Sequence, residues 1–304
     1  MRVLIAGGSG MIGTALAKSL LAEGHQVWVL TRTPQAARLP QGALAVGWDG
    51  RACVEWADLL SQVDAVVNLV GERLSRWPWT KRQKQRFLDS RVEGGRALVQ
   101  AIQAASPRPR VFMQASGVNY YGPRGLELVT EADGPGNDFL ARLCQAWEAS
   151  TQAVEKLGVR RVILRSAIVL STQAGILPVM LFPLKWFVGG RLGSGKQGLA
   201  WIHLVDEVAA MRFLLDAPSA HGPYNLTAPN PISSAEFLRA AARDLHRPFW
   251  LPVPAFALRL ALGGMATLVL DGLYLFPTRL QEQGFVFRFG TAEAALHDLL
   301  NISK

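Results

Sequence analysis

Gly7, Gly10 and Gly13 stand three apart in the run Gly-Gly-Ser-Gly-Met-Ile-Gly near the start of this 304-residue chain. The run follows a short apolar segment, residues 2–6, and precedes a stretch with apolar residues at helical spacing that stops at Gly24. In a strand–loop–helix setting each glycine has work to do. Gly7 permits the tight turn, Gly10 lets main-chain N–H groups approach a diphosphate, and Gly13 lets the helix pack on the strand. Met11 and Ile12 lie within this loop and are expected to bind the cofactor with it, and the helix that follows presents its N-terminal partial positive charge to an anion. The chemistry implied is dinucleotide binding. A glycine triplet used only as a structural turn is the competing reading.

The end of the second apolar run, residues 26–30, selects the dinucleotide. A carboxylate there suits a free ribose 2′-hydroxyl, and a cation suits a 2′-phosphate. The run ends in Leu30-Thr31-Arg32, and no acidic residue occurs between Glu23 and Asp49. Thr31 and Arg32 are therefore expected on the adenosine side, with NADP(H) favoured over NAD(H) because a guanidinium binds phosphate through paired hydrogen bonds.

Further candidates sit where other apolar runs end. Leu69, Val70 and Gly71 stand at the end of the run 65–70, and Ser116, Tyr120 and Tyr121 at or just after the end of the run 110–116. In an open parallel sheet, ligands bind at the carboxyl ends of strands. Ser116 is expected both at the cofactor and, with Tyr120 and Tyr121, among the catalytic residues. Tyr120 or Tyr121 could move a proton, but a free tyrosine has a pKa of about 10 and needs a nearby cation to act near neutrality. Arg124 and Arg91 are the candidate cations. The competing reading has one tyrosine packed in the cap and the other hydrogen-bonding substrate. Trp77, Trp79 and Trp201 offer aromatic cleft walls. Histidine titrates in a useful range, which makes His203 a candidate, although a structural role is the favoured reading, with Asp206 capping the helix that follows. The glycines around Lys196 read as a substrate-side loop without Walker spacing. The five histidines show no metal-ligand spacing, and Cys53 and Cys144 form no CxxC, so neither a metal centre nor a disulfide scaffold is expected.

These residues need a frame to hold them. Buried-strand candidates at residues 2–6, 26–30, 43–46, 65–70, 110–116 and 160–170 alternate with helical stretches at about 80–105 and 139–157. That alternation implies an α/β fold, a doubly wound parallel sheet over residues 1–170. Frequent prolines after residue 170 break residues 171–304 into a smaller, mainly helical cap, with a C-terminal helical segment from about residue 252.

The sequence resembles the short-chain dehydrogenase/reductase superfamily. More narrowly it is similar to an atypical, epimerase-like family, through GGSGMIG, NLVGE (68–72), SGVNYYG (116–122), LCQAWE (143–148), GGRLGSGKQGLAWIHLVDEV (189–208) and the tail from Pro252 to Leu300. The resemblance implies a Rossmann fold and NADP(H) binding, but no substrate. It also exposes a departure. Active superfamily members carry YxxxK, whose lysine lowers the tyrosine's pKa and holds the nicotinamide ribose, and none of the four tyrosines here has lysine four residues on. The matching helix offers Cys144 and Glu148 instead. A carboxylate raises a thiol's pKa, so this pair cannot mimic Tyr–Lys, and Cys144 reads as a small buried hydrophobe. The functional expectation is an NADP(H)-binding oxidoreductase or epimerase-like enzyme with a substitute proton donor. A non-catalytic NADP(H)-binding regulator is the alternative.

The net charge of +9 admits nucleic acid, an anionic surface or a phosphorylated ligand. The densest basic cluster, at residues 81–86, lacks aromatic interleaving and any nucleic-acid motif. The most membrane-like stretch, residues 255–276, is interrupted by Arg259, Asp271 and glycines and is too short to span. A cytoplasmic protein with a small-molecule substrate, and with neither nucleic acid nor membrane as partner, is expected.

Overall fold

The computed structural model describes residues 1–52 and 56–301, so Cys53 lies outside the described residues. Short runs of valine, isoleucine and leucine build its centre. β1 (Arg2–Ala6) is buried beyond its first residue and β4 (Ala65–Asn68) is buried throughout. Such two-faced apolar strands need covering on both sides, which a parallel sheet with crossover helices provides. Between and after them come α1 (Met11–Ala22), β2 (Gln26–Thr31), β3 (Leu44–Gly47), α2 (Lys81–Ala104), β5 (Val111–Gly117), β6 (Leu128–Val129), α3 (Phe139–Ala149) and β7 (Arg160–Ser166). The second half holds β8 (Ile168–Leu170), α4 (Leu177–Lys185), β9 (Trp201–His203), α5 (Leu204–Asp216), β10 (Gly222–Leu226) and α6 (Ser234–Asp244). It ends with α7 (Ala255–Leu262), α8 (Thr267–Leu270), β11 (Tyr274–Leu275), α9 (Thr278–Glu282) and α10 (Ala292–Asn301).

The main sheet has seven parallel strands in the order β10-β7-β5-β4-β1-β2-β3. β1 pairs with β2 on one side and β4 on the other. The winding therefore reverses between β1 and β4, and the crevice outside their carboxyl ends is the site such sheets offer to ligands. Alternate side chains divide into two cores. Val3, Ile5, Val29 and Leu164 pack with Leu16 of α1 and Met211 of α5, while Leu4, Leu30 and Phe112 pack with Leu98 and Ile102 of α2.

Beyond residue 170 the chain crosses back, since α5 and β10 return to cover and extend the sheet after β8 and α4 have left it, and two expectations change within the elements. Arg160 ties that return down by donating to the carbonyls of Leu214, Leu215 and Ala220. The 160–170 run is two strands rather than one: β7 stays in the main sheet, and β8 pairs with β9 in a separate ladder. The helix expected over 139–157 stops at Ala149 and is followed by a 3₁₀ turn at Gln152–Leu157. The cap is mainly helical as expected, with its own core of Leu177, Leu181 and Leu184 against Phe237, Leu238 and Leu296.

Candidate functional site

The glycine loop has the geometry its sequence implies. Gly7 lies at φ +81°, and a Cβ there would meet the Leu69 carbonyl oxygen at 2.8 Å. A Cβ on Gly13 would stand 2.5 Å from Gly8 Cα, so the helix can reach the loop only without one. Gly10 is different: a Cβ there would meet only the Gly7 oxygen, at 3.4 Å, and its other side is open. Gly10 begins α1 with no side chain capping it, and the first turn of α1 contains no acidic residue. The first amides of α1 thus keep the helix's positive end available, as a diphosphate requires. Gly8 escaped the sequence reading. It is held to glycine by Val29, whose Cγ1 would be 2.7 Å from a Cβ.

The neighbouring strand ends complete the crevice. Asn68, fully buried, accepts the Val70 amide at 3.1 Å and donates to Gln114 Oε1 at 2.9 Å, which fixes the Leu69-Val70-Gly71 turn. Its signal in the sequence was a polar residue closing an apolar strand. Thr31 is buried at the end of β2 with Arg32 exposed beside it. The Trp48 amide donates to the Thr31 carbonyl at 2.9 Å, which places an indole at that same end; sequence reasoning missed it.

Around Glu148 on α3 the structure shows a buried polar network. Ser116 Oγ donates to Glu148 Oε1 at 2.6 Å. Arg165 grips both oxygens of Glu148, through Nε and Nη2, each at 3.0 Å. Its Nη1 donates to the Tyr121 hydroxyl at 3.0 Å, and that hydroxyl donates to Asn225 Oδ1 at 2.7 Å. The same guanidinium lies 3.4 Å from the centre of the Tyr120 ring. Burial pulls the Arg165 pKa down, but Glu148 and Tyr121 more than offset it and the side chain stays charged. Tyr121 goes the other way: burial outweighs the pull of Arg165 and pushes its pKa up to about 12. Tyr121 is therefore a fixed hydrogen-bonding post and cannot serve as a base. Tyr120 is half-buried, with Arg165 against its ring face.

The cation beside the tyrosines is thus Arg165, not Arg124 or Arg91. Arg124 donates to the carbonyls of Tyr121 and Gly134. Arg91 projects from α2 beneath Gly71, where a Cβ would meet its guanidinium carbon at 3.0 Å. It donates through Nη1 to the carbonyls of Phe87 and Glu72 and lies 4.7 Å from the Trp147 ring centre. Burial lowers its pKa to about 10, so it remains a cation. Glu72, whose charge acts on it, is itself paired with Arg76 at 3.1 Å. Cys144 faces Gly117. Burial, helped by Glu148, pushes its thiol up to about 11, which makes it a neutral buried group.

The proposed cleft-wall residues separate. Trp79 is half-buried and pinned, with its indole N–H on the Leu74 carbonyl at 2.9 Å and its ring edge-on to Phe87 and Phe139. Trp77 stands exposed beside it. Trp201 and His203 lie elsewhere. Trp201 is buried in the cap core against Phe237, and His203 stacks on Phe289 with centroids 4.0 Å apart and Nε2 3.4 Å from Asp298. Burial lowers the His203 pKa. Neither presents a surface to a solute, because β9 is covered on both faces. His203 itself caps α5, with Nδ1 accepting the Val205 amide at 3.1 Å. Asp206, expected in that role, instead accepts the amides of Arg288 and Phe289. Among the described residues no cluster of ligating side chains could hold a metal ion, and no helix is long and apolar enough to cross a membrane.

Comparison with known proteins agrees with this geometry. The family model for the NAD dependent epimerase/dehydratase family matches residues 3–227, and a domain of unknown function (DUF1731) matches residues 253–299. An epimerase family protein of Mycobacterium leprae is 39% identical over 97% of this chain and 94% of its own. The epimerase family protein YfhF of Bacillus subtilis is 34% identical over 99% of this chain and 98% of its own. Among solved structures, human epimerase family protein SDR39U1 with NADPH superposes with a TM-score of 0.86 and 31% identity over 99% of both chains. UDP-glucose 4-epimerase of Thermus thermophilus with NAD, at 19% identity and a TM-score of 0.78 over 99% of this chain and 98% of that one, shares the fold. The chain belongs to the NAD dependent epimerase/dehydratase family, in the branch that carries this C-terminal domain.

Proposed function

We propose that this protein binds NADPH along the carboxyl edge of the sheet and passes a hydride between it and a small-molecule substrate. The observation that carries the reading is the cradle at Gly7–Gly13. There Gly7, Gly8 and Gly13 exclude a Cβ, Gly10 is open, and a helix start lacks both a side-chain cap and an acidic first turn. Arg32 beside buried Thr31 supports the phosphorylated form of the nucleotide, and the human relative's structure with NADPH is consistent with it. Bound there, NADPH supplies the hydride; the rest falls to the chain. Leu69, Val70 and Gly71 line the crevice floor. Arg91, a charged group directly under Gly71, takes the place of the missing lysine in orienting the nicotinamide half. Ser116 is held by Glu148 with its hydroxyl already donated, so it positions rather than exchanges a proton. Tyr120 is left as the proton donor, its ring held by the Arg165 guanidinium 3.4 Å from its centre. Trp77 and Trp79 bound the substrate side.

A second reading has its own support. A neutral thiol and a carboxylate committed to Arg165 occupy the usual proton-transfer position, as in a nucleotide-binding regulator without catalysis.

Titration calorimetry of NADPH and NADH tests the cofactor. Arg32→Ala is expected to weaken NADPH about 10- to 100-fold, the range of a charge-assisted contact, and to leave NADH unchanged. An unaltered preference would overturn the assignment. Deuterium transfer from C4-labelled NADPH into a metabolite extract then separates the two readings. Transfer that is lost in Tyr120→Phe supports the enzyme, and tight NADPH binding with no transfer supports the regulator.

A further inference from the structure

The second half of the chain exposes several large apolar side chains on segments joined by main-chain hydrogen bonds. Phe182 and Trp186 of α4 are 61% and 67% exposed, with ring centres 6.0 Å apart. Trp250, 65% exposed, donates its indole N–H to the Phe187 carbonyl at 2.9 Å. The main chain ties these segments into one strip: the amides of Trp250 and Leu251 bond to Gly189, and that of Val253 to Arg191. It ends on α7, whose sequence AFALRLAL is apolar except for Arg259 and which has no buried residue. Phe256 and Leu260, one turn apart on that helix, are 73% and 86% exposed. Single exposed apolar residues are ordinary, but several large exposed ones on segments tied together by main-chain hydrogen bonds mark a surface that something covers.

The charges around the strip choose the occupant. Between Glu155 and Asp206 there is no acidic residue, and none between Asp244 and Asp271, yet both segments carry cations. Lys185 lies on α4 between the two aromatic residues, and the Arg247 guanidinium sits 4.4 Å from the Phe187 ring centre. A two-fold contact with a second copy would set Lys185 and Arg247 near their own images with no carboxylate from either segment to answer them. The Trp250 indole is already satisfied within the chain and asks no fixed acceptor of a partner. Aromatic rings beside lysine and arginine at α4 and Trp250, followed by the apolar helix α7 with no buried residue, are the composition of a surface that inserts shallowly into the interface of an anionic bilayer.

We propose that this strip, from α4 through Trp250 to α7, docks the protein peripherally on an anionic phospholipid surface. The proposal concerns adsorption and not a span, reverses the expectation of no membrane partner, and is independent of the cofactor reading. Flotation with vesicles of phosphatidylcholine containing about one third phosphatidylglycerol, against phosphatidylcholine alone, tests it. Binding to the anionic vesicles is expected, weakening as salt rises through the range where the Debye length falls below about 10 Å. Trp186→Ala with Trp250→Ala, and separately Lys185→Glu with Arg247→Glu, should each reduce binding at least about tenfold. Circular dichroism and NADPH titration report that both variants are folded. Three results would each overturn it: no flotation of the unaltered protein, equal binding to both vesicle types, or concentration-dependent self-association removed by the same substitutions, which would make the strip an interface between copies.

Discussion

Glu148 accepts three hydrogen bonds in the interior, two from Arg165 and one from Ser116. Both oxygens are used, so the desolvation of two charges is offset by geometry that water could not better, and the pair fails only when one partner is removed. Glu148→Gln should therefore cost about 3–5 kcal/mol in urea unfolding. Arg243→Ala, which breaks an exposed pair with Glu293, should cost less than about 1 kcal/mol. Equal effects would mean that the buried network stabilises the fold no more than an exposed ion pair does. Glu207 gives the opposite case. It is buried with one oxygen on Ser166 Oγ at 2.6 Å, and its Oε2 has no partner among the described residues. Burial pushes its pKa from 4.5 to about 8. The folded chain keeps a proton that the unfolded chain releases, so stability falls as pH rises between those two values, by at most about 1.4 kcal/mol per unit. Unfolding at pH 5.5, 6.5 and 7.5 should show Glu207→Gln with a shallower decline than the unaltered chain; parallel declines would contradict the assignment.

At the scale of elements, the C-terminal region is held by unusual means. Its tail lies across the start of α5 because Asp206 accepts the amides of Arg288 at 2.9 Å and Phe289 at 2.8 Å, while the Phe289 ring covers His203. Hydrogen bonds to a charged acceptor contribute about 1.5–3 kcal/mol. Asp206→Ala should thus accelerate hydrogen exchange at those two amides well ahead of the sheet, and exchange that stays uniform would show the tail to be held elsewhere. An aspartate three residues into a helix reads locally as a cap. Only the returning tail, some 80 residues later, claims its oxygens, and the histidine before the helix is left to cap it.

For the molecule as a whole, the switch between β1 and β4 sets the crevice, and a ligand that binds only the folded chain must stabilise all of it. NADPH at about 100 times its dissociation constant should add about 2.7 kcal/mol. NADH at the same concentration should add less. A denaturation midpoint indifferent to NADPH would remove the cofactor site from consideration. By itself the sequence determined what local chemistry fixes. The positions of Gly7, Gly10 and Gly13 are dictated by one turn and one helix start, and the continuous apolar strands by the need to be covered on both faces. The absence of YxxxK needed no structure either. What replaces it was decided by tertiary structure alone. Arg165 meets Glu148 from another element, Tyr121 finds Asn225 from 104 residues away, and Trp201 and His203 are withdrawn into the cap by packing. The reason is physical: a side chain's charge state and reach depend on burial and on partners from distant segments, and residue type and spacing carry no record of either.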